Sequence, residues 1–195
     1  MYAYISGKLV EKNPTFVVID VQGIGYQIHI SLHTYSKIGD TKVLKLFTYF
    51  HVREDQQTLF GFYTPQEKLI FTQLIAVSGI GVTTGIMMLS SMTPAELFAS
   101  IRDENVNALK RIKGIGAKTA ARIVLELKDK IKFDGEVTAS PTKENVSQKR
   151  EEAIAALMQL GMNKAQMTKR VDRILKEKGS SISVAEIIKW ALRNN

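Results

Sequence analysis

The sequence predicts an α+β protein with three parts: a small β-barrel, a central all-α domain, and a three-helix bundle on a flexible linker. Three observations support this fold class. The first 63 residues contain five short runs of β-branched and aromatic residues, the centre repeats a Gly-Ile-Gly motif at a spacing of 35 residues, and a polar stretch separates the centre from three amphipathic segments. A chain of 195 residues can hold three small domains of this kind.

Residues 1–63 are predicted to form the barrel. Turn-forming residues such as Asn13-Pro14 and Gly39-Asp40 separate the strand-like runs. Because closure removes exposed strand edges, five short strands fit a small closed or partly open barrel such as the OB-fold. The predicted strands are Ala3–Val10, Thr15–Val21, Tyr26–Ile30, Val43–His51 and Thr58–Tyr63.

Seven aromatic residues lie in these runs and allow two interpretations. They could stack nucleic-acid bases on the barrel surface, or they could fill its core. We favour the core, because aromatic side chains in so small a barrel are more often buried. The seven residues are Phe16, Tyr26, Phe47, Tyr49, Phe50, Phe60 and Phe62.

Residues 64–134 are predicted to be helical. The segments 64–67 and 93–96 both read Thr-Pro-x-Glu, which is a capping box with proline at the first helical position. Each cap contributes on the order of 1 kcal/mol and fixes where its helix begins. The predicted helices lie near 65–77, 82–90, 94–102, 105–112 and 117–131.

Two copies of a helix-hairpin-helix motif occupy this central domain, at Leu74–Leu89 and within Leu109–Lys128. Aligning the Gly-Ile-Gly triplets also aligns the small residues Gly85 and Ala120, where two helices would approach closely. Glycine permits the sharp turn, and the isoleucine between the glycines can fill the space between the helices. Unpaired N–H groups at the start of each second helix would favour an anion such as phosphate.

Other interpretations of these glycines are weaker. A dinucleotide-binding fingerprint needs Gly-x-Gly-x-x-Gly after a strand, but the glycine that follows Gly81 is Gly85, one position too late. A P-loop needs a glycine before Lys118-Thr119, where the chain has Ala117. Plain helix turns without a ligand are the remaining alternative. The internal repeat favours phosphate binding.

The stretch 135–147 is predicted to be a flexible linker, because it is polar, contains a proline and has only two valines as apolar residues. Residues 148–195 follow as a three-helix bundle. Its predicted helices are Lys149–Leu160, Lys164–Lys178 and Val184–Arg193.

Three features of the bundle carry further predictions. Ser183 and Glu186 have the spacing of a third capping box. Trp190, the only tryptophan, is predicted to lie in the core. The loop Leu160-Gly161-Met162 places apolar residues between two helices, where they would form a docking patch for a partner protein.

The formal net charge of +8 suggests an acidic polymer as partner. The positive residues concentrate on the second hairpin, where Lys110–Lys132 contains eight basic and two acidic residues. The chain has no cysteine, and its three histidines are scattered, so we expect neither a metal nor a cofactor. No apolar run is long enough to span a membrane, and we expect a soluble cytoplasmic protein.

An acidic turn, Arg53–Gln57, joins two predicted strands and contains Glu54 and Asp55. From the residues alone a solvated charged turn is the simplest interpretation. Adjacent carboxylates could instead act as a repulsive post that keeps DNA backbones apart. A two-carboxylate Mg²⁺ site is weaker, because nuclease sites usually collect three or more acidic groups.

Taken together, the motifs resemble the RuvA family over the whole chain. The resemblance rests on IxGxL at 5–9, DVxGxGYxxxxS at 20–31, HVREDxxxLFGF at 51–62, the Gly-Ile-Gly repeat and the Leu-Gly-Met loop of the last bundle. Members of this family are the non-catalytic subunits that bind Holliday junctions in the bacterial branch-migration complex. The resemblance implies a homotetramer, or an octamer of two tetramers, with the barrels at the centre of a flat four-way junction. It also implies a mobile C-terminal domain that recruits the hexameric ATPase RuvB, and leaves room for the RuvC resolvase as a further partner.

The resemblance also assigns site residues. Glu54 and Asp55 match the family's acidic pin, and the phosphate-binding hairpins match 78–84 and 113–119. The first hairpin of the family often has a basic residue after its second glycine, whereas this chain has Val82-Thr83-Thr84. We therefore expect the first hairpin to bind through amides and hydroxyls, and the second through charge. The expected phosphate-binding residues are Ser78, Gly79, Gly81, Thr83, Thr84, Lys113, Gly114, Gly116, Lys118, Thr119 and Arg122.

Two other functions use similar parts. A repair enzyme of the glycosylase or nuclease type would need a catalytic Lys or Asp just after a hairpin, or a metal cluster, and neither is evident in the sequence. A general single-strand binder of the OB type would prefer single strands to junctions.

Overall fold

In a computed structural model of the chain, which describes residues 2–129, 144–179 and 182–193, the N-terminal strands close into a five-stranded barrel. The strand order is β1-β2-β3-β5-β4, with β4 returning to β1. Only β3 and β5 pair in parallel; the other neighbours are antiparallel. This confirms the predicted OB-like barrel. Its strands are β1 Tyr4–Lys12, β2 Phe16–Val21, β3 Ile24–Ile30, β4 Val43–Val52 and β5 Gln57–Phe62.

The barrel core consists of aliphatic side chains from alternating strand positions, such as Val17 and Ile19 of β2. Of the seven aromatic residues, only Phe60 and Phe62 are buried, and they pack against the neighbouring helices. The prediction that these aromatic residues fill the barrel core is therefore wrong: Phe60 and Phe62 belong to the core shared with the helices, and the other five are half-buried. Aliphatic residues occupy the interior instead.

A short helix, α1 (Leu32–Ile38), interrupts the barrel between β3 and β4 and was not predicted. The Ser31 hydroxyl accepts a hydrogen bond from the Thr34 N–H at 3.0 Å, and the helix ends at Gly39. Ser31 followed by Gly39 is the sequence signal that could have located it.

Five further helices follow the barrel within the described residues 64–129, close to their predicted positions. They pack around one core that also includes Phe60 and Phe62 of the barrel. The last two helices are shorter than predicted. The five are α2 Pro65–Ala76, α3 Val82–Ser91, α4 Pro94–Arg102, α5 Val106–Lys110 and α6 Ala117–Leu127.

Glu67 of α2 is fully buried between the barrel and the helices. Its Oε1 accepts a hydrogen bond from Ser31 Oγ at 2.6 Å, and its Oε2 accepts from Thr34 Oγ1 at 2.7 Å and from the Tyr63 N–H at 3.0 Å. The predicted capping box at 64–67 is therefore only half formed. Thr64 Oγ1 accepts from the Glu67 N–H, but the carboxylate points to α1. The box at 93–96 is complete.

The chain divides into two compact units, Met1–Glu136 and Val137–Asn195. The second is a bundle of α7 Glu144–Gln159, α8 Lys164–Lys178 and α9 Val184–Arg193. Because α7 begins at Glu144, the last four residues of the predicted linker are helical; its residues 135–143 lie outside the described part of the chain. None of the described helices has the length and apolar character needed to cross a membrane.

The bundle confirms one prediction and corrects another. The capping box of Ser183 and Glu186 is present, and hydrogen bonds from the Ser183 N–H and hydroxyl hold the pKa of Glu186 below its ordinary value. Trp190, however, is 38% exposed and does not lie in the core. Smaller residues of α9, Ile187 and Ala191, face the core instead.

Candidate nucleic-acid interface

The two hairpins have the same backbone hydrogen bonds, residue for residue, at the 35-residue offset. In the first, Val77 N–H donates to the Leu74 carbonyl and Ile80 N–H to the Val77 carbonyl, both at 3.1 Å. In the second, the equivalent bonds from Ile112 and Ile115 measure 3.1 and 3.0 Å. The repeat seen in the sequence is therefore a repeat of local structure.

Glycine is required at the first position of each Gly-Ile-Gly triplet. Gly79 has φ of 93° and Gly114 has φ of 88°, a left-handed conformation that side chains rarely adopt. The third positions, Gly81 and Gly116, are the N-caps of α3 and α6 and supply no side-chain cap. The first N–H groups of both helices thus remain available to an anion.

The residues between the helices have the predicted packing roles. Ile80 and Ile115 are each 5% exposed. A Cβ added at Gly85 would lie 3.0 Å from Phe71 Cε2, so α2 and α3 approach at that position as expected. Ala120 is fully buried at the equivalent position of α6.

The two hairpins differ in charge. Lys113 and Lys118 are exposed, and neither has an ion-pair partner among the described residues. Lys128 differs, because its Nζ donates to Glu104 Oε1 at 2.6 Å, and this hydrogen bond raises the pKa of Lys128. The cations free to meet a phosphate therefore lie at the hairpin itself.

Arg122 links the two hairpins. It lies on α6 of the second copy, but its Nη1 donates a hydrogen bond to the Ser78 carbonyl of the first copy at 3.1 Å. Its Nε lies 4.0 Å from Glu126 Oε1, and the side chain is 40% exposed. Arg122 therefore brings a positive charge to the first hairpin, which has no charged residue of its own between Leu74 and Leu89.

The acidic turn lies at the tip of the β4–β5 hairpin. The Arg53 N–H donates to the Gln56 carbonyl at 2.8 Å, and Arg53 Nε donates to His51 Nε2 at 3.0 Å. Glu54 and Asp55 are exposed, and within the described residues neither carboxylate has a hydrogen bond or an ion pair. No group of three potential metal-binding side chains occurs in the described part of the chain. The turn therefore presents two uncompensated negative charges.

A groove of about 570 Å³ lies between this turn and the first hairpin. Arg53 and Gln56 line it on the side of the turn, and Val82 and Thr83 line it on the side of the hairpin. The acidic turn and the first hairpin thus border the same groove. Sequence reasoning found both features but not their adjacency.

The loop Leu160-Gly161-Met162 joins α7 to α8. The Met162 N–H donates to the Leu157 carbonyl and the Gly161 N–H to the Met158 carbonyl, a Schellman motif that ends α7. Leu160 is 61% exposed, whereas Met162 packs against the core of the bundle. Leu160 is thus the apolar side chain that the loop presents to solvent.

Comparisons with known proteins match this architecture part by part. The family described as RuvA N terminal domain matches residues 1–61, and the SAM-like helix-hairpin-helix tandem matches residues 71–129. Over 99% of both chains, the sequence is 48% identical to the Holliday junction branch migration complex subunit RuvA of Cytophaga hutchinsonii. The RuvA subunits of Christiangramia forsetii and Bacteroides thetaiotaomicron are 47% and 46% identical, with the same coverage.

Proposed function

The chain belongs to the RuvA family of Holliday junction branch migration complex subunits, and from this membership we propose which of its residues hold the junction. The protein binds four-way junction DNA and takes part in branch migration during recombination and repair. It is a non-catalytic DNA-binding subunit, since ATP hydrolysis in the complex belongs to RuvB. The helix-hairpin-helix domain by itself does not favour a glycosylase or nuclease.

The hairpins are the proposed phosphate clamps. The observation that carries this proposal is that both copies present uncapped N–H groups from the same left-handed glycine turn. In the second copy, Lys113 and Lys118 add charge beside Gly114, Gly116 and the Thr119 hydroxyl. In the first copy, the hydroxyls of Ser78, Thr83 and Thr84 lie beside Gly79 and Gly81, and Arg122 supplies the charge.

The acidic turn is the proposed source of junction preference. Phosphate clamps hold any duplex, because backbone contacts carry no sequence or branch information. Glu54 and Asp55 project at the tip of a hairpin, and neither forms an ion pair within the part of the chain that the structure describes. Gathered from four subunits at the centre of a junction, they would repel the strands at the crossover and hold the arms apart in a flat arrangement.

The assembly and partners of the chain follow the same reasoning. We propose that four copies, or eight in two tetramers, surround the junction in the bacterial cytoplasm. Leu160, Gly161 and Met162 of the C-terminal bundle are the proposed contact with the RuvB motor. The RuvC resolvase is a further proposed partner on the open face of the junction.

Salt dependence tests the clamp proposal. Junction affinity is expected to fall steeply with salt, by about 0.9 in log K per log unit of salt for each phosphate neutralised. It should be equal for junctions of different sequence and the same shape. Fluorescence anisotropy with labelled junctions measures both quantities. A shallow slope, or a strong sequence preference, would argue against backbone clamping.

The double substitution Glu54→Gln with Asp55→Asn tests the acidic turn. Removing the repulsion should raise duplex affinity by roughly tenfold and reduce the preference for a junction over a duplex, because a continuous duplex would bring its phosphates against the turn, whereas the open centre of a junction leaves room for it. Competition between labelled junction and unlabelled duplex measures this preference. Glu11→Gln with Asp40→Asn, which neutralises two exposed carboxylates elsewhere on the barrel, is the matched control. An unchanged preference in the first variant would refute the proposed role.

A further inference from the structure

A groove in the C-terminal bundle adjoins the proposed Leu160-Gly161-Met162 contact. It has a volume of about 710 Å³ and is lined by residues of α8 and α9, with Met162 at one edge. Its floor is apolar, because Met167 and Ile174 of the bundle core lie beneath it. The two methionines that line the groove, Met162 at its edge and Met167 in its floor, can adapt to side chains of different shapes.

The walls of the groove are basic. Four cations line it, against the single carboxylate of Glu177. Two of the four are already engaged: Arg170 Nη1 donates to the Ala191 carbonyl at 2.9 Å, and Arg173 Nε donates to Glu177 Oε1 at 2.9 Å. Lys169 and Lys178 have no carboxylate partner among the described residues. The groove is therefore apolar at its base and has unpaired positive charge at its rim.

Trp190 forms one side of this groove and is 38% exposed, although aromatic side chains of this size usually bury a large apolar area. Lys178 Nζ lies 4.3 Å from the centre of its ring. A partially exposed tryptophan beside a cation is the composition found at the anchor points of protein interfaces. Its exposure is explained if a partner covers it.

We propose that this groove binds an acidic segment of the motor ATPase that carries an apolar anchor residue. The inference rests on the proposed function, in which the bundle recruits the motor. The anchor contacts Trp190 and the methionine floor, and the carboxylates of the segment pair with Lys169 and Lys178. Leu160 then supplies one contact of the bundle, and the groove supplies a second, charge-dependent one.

Single-stranded DNA fits the groove less well. Binding a strand would use the positive charge and would require a free aromatic face on which a base can stack. Lys178 already covers one face of Trp190. The apolar floor of Met167 and Ile174 would also offer nothing to a phosphate backbone. An acidic peptide with an apolar anchor uses both the floor and the rim.

The test measures the affinity of the full-length protein for its purified motor by isothermal titration calorimetry at low and high salt. Lys169→Glu should weaken binding about tenfold at low salt and less at high salt. Trp190→Ala should weaken it by a similar factor at both salt concentrations, because an apolar contact is not screened. Lys176→Glu is the matched control: it lies on the same helix, is exposed and does not line the groove.

Two further variants separate this inference from the proposed function. Removing residues 144–195 should abolish motor binding, and Leu160→Asp should weaken it. If the truncated protein still binds the motor, the proposed function of the bundle fails. If truncation and Leu160→Asp act as expected while Lys169→Glu and Trp190→Ala match Lys176→Glu, the groove proposal alone is overturned. Loss of junction affinity with unchanged motor binding in Lys169→Glu would show that the groove binds DNA, and would also overturn it.

Discussion

The two hairpins share one backbone geometry but differ in charge. The first, Leu74–Leu89, contains no charged residue, whereas the equivalent Leu109–Val124 contains five basic residues and no acidic one. The basic residues of the second copy correspond, in order, to Ile75, Ala76, Ser78, Thr83 and Met87 of the first. Since the hydrogen bonds of both turns coincide, glycines and apolar residues determine the geometry, and charge is assigned independently of it.

The surroundings of the two copies explain this difference. In the first copy, α3 packs on α2 and also on α1, where the Leu32 N–H donates to Ser90 Oγ at 3.1 Å. Thr83 and Ser91 are the only exposed residues of α3. In the second copy, α6 has an open face with Ala117, Lys118, Ala121 and Leu125 exposed. The second copy thus offers more exposed positions for long charged side chains, and Arg122 extends one of them to the first.

Replacing lysines of the second hairpin with the equivalent uncharged residues of the first should have the largest effect on junction affinity. The variant Lys113→Ser with Lys118→Thr carries the residues found at Ser78 and Thr83. Junction affinity should fall about a hundredfold at low salt, and the salt slope should decrease by about 2, because two phosphate contacts are lost. Anisotropy titrations over a salt series measure both. If junction affinity falls less in this variant than in Thr83→Ala, the first hairpin contributes more to binding than the second, and the comparison is wrong.

Removing the link between the hairpins should have an intermediate effect. Arg122→Met introduces the residue of the equivalent position in the first copy, and should weaken junction binding about tenfold by removing charge near Ser78. Arg122→Lys should retain part of the affinity, because lysine keeps the charge but loses the planar fork.

A double-mutant cycle of Arg122→Met with Thr83→Ala tests whether Arg122 serves the first hairpin. The two changes should be coupled, because both alter the same phosphate site. Additive effects, within about 0.5 kcal/mol, would instead place Arg122 in the second clamp alone.

Adding charge to the first hairpin should have the smallest effect. Thr83→Lys places a lysine at the position equivalent to Lys118, on an exposed site of α3. Affinity should rise only about threefold, and the salt slope should rise by less than the value of about 1 for a full phosphate contact. Arg122 already neutralises part of the site, and a cation in the first helical turn opposes the dipole. Thr83→Ala is the matched uncharged control. A decrease in affinity would show that the first hairpin cannot approach DNA closely enough to use the charge.

The sequence correctly predicted those features of the fold that depend only on residues close together in the chain. The strands, the capping box at 93–96 and both glycine turns followed from spacing and residue type. The features that the sequence did not predict are contacts between distant parts of the chain. Arg122 and Ser78 are 44 positions apart, and nothing in the sequence pairs them. Glu67 has the pattern of a cap residue, but two hydroxyls near α1 are better placed to donate to it.

The candidate sites follow the same division. The acidic turn could be identified from two adjacent carboxylates between strands, but the groove that joins it to Thr83 exists only in the folded chain. The prediction that Trp190 lies in the core was wrong for a related reason. Amphipathic spacing on α9 identifies the face of the helix that meets the core, but it does not show how much of a large ring at the edge of that face is buried.

The buried carboxylate of Glu67 has a consequence for cooperativity. Its donors come from Ser31, Thr34 and Tyr63, so separating the barrel from α2 would leave the carboxyl group buried without hydrogen-bond partners or expose it together with Phe71. Residues 2–129 should therefore unfold in one transition, with no intermediate in which the helices remain folded without the barrel. The acidic turn and the two hairpins would then move as one rigid body. A fragment that begins at residue 64 should not fold.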